Sequence, residues 1–244
     1  MKTTADLIRE KLSLQNFAEG LYELSYNSLW YRKMYNENDV FKQLKNKYKD
    51  ISLNRQMIIN LFKEGNYYDG FLCAMVWGGI GSNVKGKEIF NSVFSKKNQA
   101  GISKKIEHIV QILKDVSKEP KERVIIAYLS LTDKTENGIE GIGESFYTKI
   151  LYFAGAGIDS LTLKPLIFDR HMRDVYKKLT NKSDLQEIGK PAEQQYVDFC
   201  CKMEELRKQL NLSSAGHVEA LLFQPTIRQV IFGDEGRNNK QSTY

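Results

Sequence analysis

Gly141-Ile-Gly-Glu-Ser-Phe-Tyr-Thr-Lys149 opens an apolar helix, and Pro165-Leu-Ile-Phe-Asp-Arg-His-Met172 follows it along the chain. Two glycines one residue apart allow a tight turn and expose N–H groups at a helix start, where a phosphate can bind. Asp169 ends an apolar, proline-led run, so we expect its carboxylate to emerge from a buried segment. A helix start followed by an unrelated, solvent-exposed capping aspartate is the alternative interpretation of the same pattern.

This pair of segments resembles the helix-hairpin-helix DNA glycosylase superfamily. In that superfamily a glycine hairpin grips the DNA backbone, and a following aspartate lies at the site of base excision. The resemblance implies that Asp169 is catalytic and that Gly141, Gly143 and Ser145 contact the DNA backbone. His171 resembles a family position near the backbone, although a histidine at a helix start is equally typical of packing or capping.

A third segment, Ser214-Ala-Gly-His-Val-Glu-Ala-Leu-Leu-Phe223, resembles the final helix of the eukaryotic-type 8-oxoguanine DNA glycosylases. The resemblance implies that Glu219 contacts the base-pairing edge of the extruded base and that Phe223 stacks on its face. Positions four apart lie on one face of a helix, so both side chains could face one pocket. A buried helix that packs closely through small residues explains the same segment, but it does not require Glu219.

The sequence departs from the family pattern at Ser145. Strand-cleaving members have a lysine there that forms a Schiff base with the sugar, and serine cannot do this. Lys149 lies four residues later, on the same face of the helix, so it could bring an amine to the same place. A lysine in a desolvated pocket can lose its proton and act as a nucleophile. The alternative is that Lys149 is an exposed side chain or a phosphate contact.

A second departure is Glu219, where the family has glutamine. A carboxylate accepts hydrogen bonds from both N1–H and the 2-amino group of guanine, and it repels the acceptors of cytosine and thymine. The change therefore favours a guanine-type base, such as 8-oxoguanine, another modified guanine or a deazaguanine.

Composition limits the other classes of function. The formal net charge of +6 suits a polyanionic partner such as DNA. Three cysteines, Cys73, Cys200 and Cys201, cannot hold the four-cysteine iron–sulfur cluster of some relatives, and three histidines without ligand spacing argue against zinc. We therefore expect no metal and no cofactor, and a cytoplasmic monomer without a membrane span.

Helical spacing of apolar residues and only four prolines predict an all-α fold. The resemblance, which covers about 66–224, adds that the fold has two lobes with the active site in the cleft between them. Residues 1–232 would form this single domain, with 1–65 matched by position only, and 233–244 a mobile tail. The predicted helices are a long one through Leu21–Met34, then Val40–Lys47, Leu53–Lys63, Tyr67–Trp77, Val84–Phe94, Lys104–Val116, Glu122–Thr132, Phe146–Ala154, His171–Leu179, Pro191–Leu210 and, last, Ala215–Phe223.

The resulting prediction is a DNA glycosylase that removes an oxidised or modified guanine from double-stranded DNA by base flipping, with strand cleavage through Lys149 as a further step. Two alternatives stay open. One is an enzyme that acts on a guanine-like base in a non-repair substrate, such as an accessory protein of an anti-phage cyclic-oligonucleotide system. The other is a DNA-binding module that has lost catalysis, which Ser145 favours and Asp169 opposes.

Overall fold

The computed structural model describes residues 3–13, 38–48, 51, 53–79, 99–132, 138–139, 141–181 and 193–233. Within these ranges the chain is helical apart from its turns and loops and contains no strand, which confirms the predicted all-α class. The helices are α1 Thr4–Ser13, α2 Asp39–Tyr48, α3 Arg55–Lys63, α4 Tyr67–Trp77, α5 Gln99–Lys114, α6 Pro120–Ser130, α7 Glu144–Ala156, α8 Arg170–Thr180, α9 Glu193–Leu210, α10 Ala215–Leu222 and α11 Pro225–Phe232.

Most predicted helix bounds lie within two or three residues of the observed ones, and α4 agrees at both ends. Helix α5 begins five residues before its predicted start at Lys104. The predicted end at Phe223 agrees with α10, but the prediction that this is the last helix is wrong, because α11 follows. Pro225 begins α11, where a missing N–H costs no hydrogen bond. Helix α7 extends two residues beyond its predicted end at Ala154, since Gly155 lies inside the helix and Gly157 caps it.

Helix α7 lies at the centre of the fold and packs against α3, α4, α5 and α6. Only Ser145, Phe146 and Ala156 of its thirteen residues are not buried. Gly155 allows the segment before Asp169 to approach closely, because a Cβ there would lie 2.4 Å from Cγ of Pro165. The helix that carries Lys149 is therefore fixed on nearly every side.

Several predicted features fall outside the described residues. These are the helices through Leu21–Met34 and Val84–Phe94, most of the loop before the hairpin, and the tail beyond Gly233. Helix α1 precedes the helix that was expected to be first. The two-lobed division and the cleft stay predictions.

No helix in the described ranges has both the length and the apolar character needed to cross a membrane.

Candidate active site

The glycine hairpin forms the turn that its sequence predicts. Gly141 has φ of +79°, a left-handed conformation that side chains rarely adopt. Gly143 is the N-cap of α7 and has no side chain that could accept a hydrogen bond from the first N–H groups of this helix. Both glycines are exposed, and a Cβ built on Gly143 would have open space around it. The start of α7 therefore offers backbone donors to an anion from solvent.

The segment before Asp169 is held by side chains from three other helices, although it belongs to no helix itself. Each of its last three backbone N–H groups donates to one of them. Leu166 donates to the Tyr196 hydroxyl at 3.1 Å, Ile167 to Glu219 Oε2 at 3.2 Å and Phe168 to Thr148 Oγ1 at 3.1 Å. Buried backbone groups require such partners, so this set of bonds fixes where the chain delivers Asp169.

Asp169 divides its two carboxylate oxygens between a structural and an electrostatic role. Its Oδ1 accepts a hydrogen bond from the backbone N–H of Met172 at 3.0 Å and so caps α8. Its Oδ2 lies 4.0 Å from Nζ of Lys149. The side chain is 22% exposed, so the carboxylate keeps access to solvent or a ligand while it faces the amine. The capping interpretation and the resemblance-based interpretation of Asp169 are thus compatible.

Lys149 is buried, with a side chain only 7% exposed. Its ammonium donates to the backbone carbonyl of Ser145 at 2.9 Å and to the Ser145 hydroxyl at 3.2 Å. Burial lowers the pKa of Lys149, and nearby Arg55 lowers it further, while Asp169 and Glu219 oppose the change. The alternative of an exposed lysine at this position is wrong.

Gly78, the C-cap of α4, leaves room for the Lys149 stem. A Cβ at Gly78 would lie 2.7 Å from Cδ of Lys149 and 3.0 Å from Cε. The backbone at Gly78 is right-handed helical with φ of −75°, so the missing side chain serves packing rather than conformation. The predicted end of α4 at Trp77 is confirmed, and the glycine that caps this helix also leaves space for the lysine.

Glu219 is fully buried and forms an ion pair with Arg55 at the start of α3. Arg55 Nη2 donates to Glu219 Oε1 at 2.8 Å, and the Arg55 side chain is 11% exposed. Burial raises the pKa of Glu219, although the Arg55 guanidinium opposes this. One carboxylate oxygen of Glu219 therefore accepts a hydrogen bond from Arg55 and the other accepts one from the N–H of Ile167. The predicted role of Glu219, contact with the extruded base, did not include these two bonds.

The Arg55 guanidinium lies close to two aromatic rings. Its Cζ is 5.1 Å from the centroid of the Trp77 ring and 5.0 Å from that of the Tyr152 ring. Its Nη1 also donates to the Tyr152 hydroxyl at 3.1 Å. Cation–π contacts with both rings, together with this hydrogen bond, restrict the orientation of the planar group.

Phe223 and His171 stack on each other, with ring centroids 4.6 Å apart and planes inclined by 12°. Burial lowers the pKa of His171, and Arg228 lowers it further, so the ring is mainly neutral at pH 7. Two residues that the resemblance linked to the base and to the DNA backbone thus contact each other directly.

A second buried ion pair joins the hairpin to the helix that Asp169 caps. Glu144, between Gly143 and Ser145, accepts hydrogen bonds from Arg173 on α8 and from the Tyr128 hydroxyl. Glu144 and Arg173 are 0% and 4% exposed. The Arg173 guanidinium also lies over the Phe168 ring, 4.5 Å from its centroid. This pair fixes α7 against α8 close to Lys149 and Asp169.

The site therefore brings together four of the residues singled out in the sequence, Lys149, Asp169, Glu219 and Ser145, from two helices and one helix cap. Arg55 could not be identified from the sequence, because its partner Glu219 is 164 residues away along the chain. A signal was present in Asn54, whose side chain caps α3 and so places Arg55 in the first turn. Within the described residues, no group of histidine, cysteine and acidic side chains is arranged to hold a metal ion.

An all-helical fold in which a glycine hairpin opens α7 and a helix-capping aspartate follows at α8 is the arrangement that the helix-hairpin-helix glycosylase resemblance predicts. The sequence model of the family described as "Putative 8-oxoguanine DNA glycosylase OGG-like protein" matches residues 22–223. The chain belongs to this family. No curated protein and no solved structure matches it.

Proposed function

We propose that this protein is a DNA glycosylase that removes a guanine-type base and forms a covalent intermediate through Lys149. The observation that carries the proposal is the 4.0 Å separation between the buried Lys149 amine and the Asp169 carboxylate. Family membership independently supports glycosylase chemistry on DNA.

The proposed reaction begins with neutral Lys149. Its amine attacks C1′ of the deoxyribose, the bond from C1′ to the base breaks, and the bonding electron pair leaves with the base. The proton that the amine loses passes to Asp169 and from there to the departing base. Positive charge develops on the sugar as the bond breaks, and the Asp169 carboxylate stabilises it. The C1′–O4′ bond then breaks as the remaining amine proton passes to O4′, which gives a Schiff base between Lys149 and C1′. Loss of a C2′ proton to water lets the 3′ phosphate leave with the electrons of the C3′–O bond, which cleaves the strand.

Burial of Lys149 supports this role, because an exposed lysine side chain would be a protonated ammonium at neutral pH and could not attack. Its lowered pKa increases the fraction of neutral amine. Ser145, which occupies the position of the family lysine, accepts hydrogen bonds from the Lys149 amine through its carbonyl and hydroxyl. Ser145 would thus orient Lys149, which takes over the function of the family lysine.

Base recognition is assigned to α10 and its C-cap. Glu219 keeps lone pairs beyond the two that Arg55 and Ile167 occupy, so it can still accept from N1–H and the 2-amino group of a guanine-type base. Phe223 stacks on His171, and its aromatic ring is the surface proposed to stack on the base. Stacking and pocket contacts offset the few kcal/mol that extrusion of a base costs.

The DNA backbone is assigned to the exposed hairpin, where Gly141 and Gly143 leave the N–H groups of α7 accessible. His171 lies two residues after Asp169, in the first turn of α8, and would lie beside the same strand. Because its ring is mainly neutral, it would contact a phosphate as a hydrogen-bond donor rather than as a charge.

Base release from duplexes that contain 8-oxoguanine or other guanine lesions tests the proposal. The wild-type chain should release at least one such base, and Asp169→Asn should abolish release while DNA binding persists. If no lesion is released although binding falls with rising salt, the chain is a DNA-binding module without this activity. Release from nucleosides or RNA but not from duplex DNA would identify a non-repair substrate instead.

A further inference from the structure

The Arg55–Glu219 pair contains more hydrogen-bonding capacity than the fold uses. Among the hydrogen bonds of the described residues, Arg55 donates only to Glu219 and Tyr152, and its buried Nε has no partner. A guanidinium carries five N–H donors, and a carboxylate about four acceptor positions, of which Glu219 uses two. A buried donor without a partner is costly, and a base that enters beside Arg55 could supply an acceptor to this guanidinium.

The Arg55 guanidinium provides hydrogen-bond donors, and the Glu219 carboxylate beside it provides acceptors, so a ligand would meet donors and acceptors in a fixed order. Trp77 and Tyr152 both lie within cation–π distance of the guanidinium, and the ion pair sets it against the Glu219 carboxylate. The base-pairing edge of guanine has the matching order, an acceptor at O6 followed by donors at N1 and the 2-amino group. Adenine has an amino donor at position 6, which would face the guanidinium donors.

We propose that Arg55 determines substrate specificity by donating a hydrogen bond to O6 of the extruded base, while Glu219 accepts from N1–H and the 2-amino group. The substrate class is then a purine with a 6-oxo and a 2-amino group, whatever its substituents at positions 7 and 8. This assignment rests on the proposed function. The family resemblance gave Arg55 no role, since it matched residues 1–65 by position only.

The alternative is that Arg55 only neutralises Glu219. The two roles differ in one respect, the preference for oxygen at position 6 of the base. A purely structural arginine affects stability and overall affinity, but it cannot affect that preference. The test therefore compares two bases that differ at this atom alone.

The experiment measures equilibrium binding of the full chain to duplexes with an uncleavable 2′-fluoro nucleotide that carries either 8-oxoguanine or its 6-thio analogue. The analogue keeps N1–H and the 2-amino group but has sulfur, a weak acceptor, at position 6. The wild-type chain should prefer the 6-oxo base by about tenfold or more, as expected for one hydrogen bond to a charged group. Arg55→Met should reduce this preference to about twofold or less.

Two further variants exclude a simple folding defect. Arg55→Met combined with Glu219→Gln leaves no unpaired charge in the core, and it should also lose the preference. Arg123→Met removes another buried arginine, which bonds only to the carbonyls of Leu113 and Ser160 among the described hydrogen bonds, and it should keep the preference. Equal binding of the two bases by the wild type, or a preference that survives both Arg55 variants, overturns the assignment. Absence of base release with the preference intact overturns the proposed reaction and leaves the role of Arg55 standing.

Discussion

The amine of Lys149 and the carboxylate of Asp169 lie 4.0 Å apart, although twenty positions separate them in the sequence. The lysine comes from the middle of α7, and the aspartate caps α8. Both are fixed by bonds that have no part in the proposed chemistry, namely the Ser145 carbonyl for the amine and the Met172 N–H for the carboxylate. This pre-organisation is what a nucleophile and its charge partner require.

The first prediction is that borohydride traps a covalent complex between the chain and lesion-containing DNA, because reduction makes a Schiff base permanent. Lys149→Ala should abolish the trapped complex, which denaturing gels detect. Ser145→Lys combined with Lys149→Ser moves the amine back by one helical turn on the same face and should restore part of the trapping. A trapped complex that persists in Lys149→Ala would remove this residue from the role.

Gly78 provides a test of position rather than chemistry. In Gly78→Ala the new Cβ would lie 2.7 Å from Cδ of Lys149, so the amine must move although it is still present. We expect trapping rates to fall by about 10- to 100-fold, since displacement by about 1 Å has effects of this size.

Gly101→Ala is the matched control, because it lies in α5 with no atom near its Cβ and should gain a little stability. An unchanged trapping rate in Gly78→Ala, with thermal stability equal to that of the wild type, would contradict the geometric argument.

The pH dependence of trapping follows from the pKa of Lys149, which burial lowers from the ordinary value of 10.5 for a lysine. The neutral amine is the reactive form, and its fraction rises as pH increases through that pKa. Single-turnover trapping should therefore rise with pH and level off below pH 10.5.

Arg55 also lowers the pKa of Lys149, so its removal should move the rising limb to higher pH. The combined Arg55→Met and Glu219→Gln variant removes one positive and one negative charge, whose effects on the pKa of Lys149 oppose each other. The rising limb should therefore move less than in Arg55→Met alone. A limb that stays in place in Arg55→Met would show that the two side chains are electrostatically independent.

Most of the fold could be predicted from sequence because helix spacing and glycine stops are local signals, as the match at α4 shows. The place of Lys149 could also be predicted, since one helical turn relates it to Ser145. Arg55 and Arg173 could not, because each pairs with a glutamate that is distant in the chain and becomes its neighbour only through helix packing. Helix α11 was not predicted, because its apolar residues follow Phe223 after a single turn and because a proline such as Pro225 is typical of the end of a helix.

The buried pair of Glu144 and Arg173 should be essential for stability. Arg173→Met leaves the Glu144 carboxylate buried without its cation, which costs about 3–5 kcal/mol in comparable pairs. Urea denaturation followed by circular dichroism would measure the loss.

Lys42→Met is the control, since it breaks an exposed pair with Asp39 and should change stability by about 1 kcal/mol or less. If the two variants lose similar stability, the Glu144–Arg173 pair does not hold α7 against α8 in the way that the contacts indicate.

The two hairpin glycines should respond differently to alanine, although they are one residue apart. Gly141 has φ of +79°, so Gly141→Ala should cost about 1–2 kcal/mol in stability. Gly143 has φ of −81° and open space around its Cβ, so Gly143→Ala should fold with almost unchanged stability. Its new methyl group would nevertheless stand at the exposed start of α7, where the phosphate is expected. Duplex affinity, measured by fluorescence anisotropy over a range of salt concentrations, should therefore fall in Gly143→Ala without any loss of stability, and unchanged affinity would place the DNA backbone elsewhere on the surface.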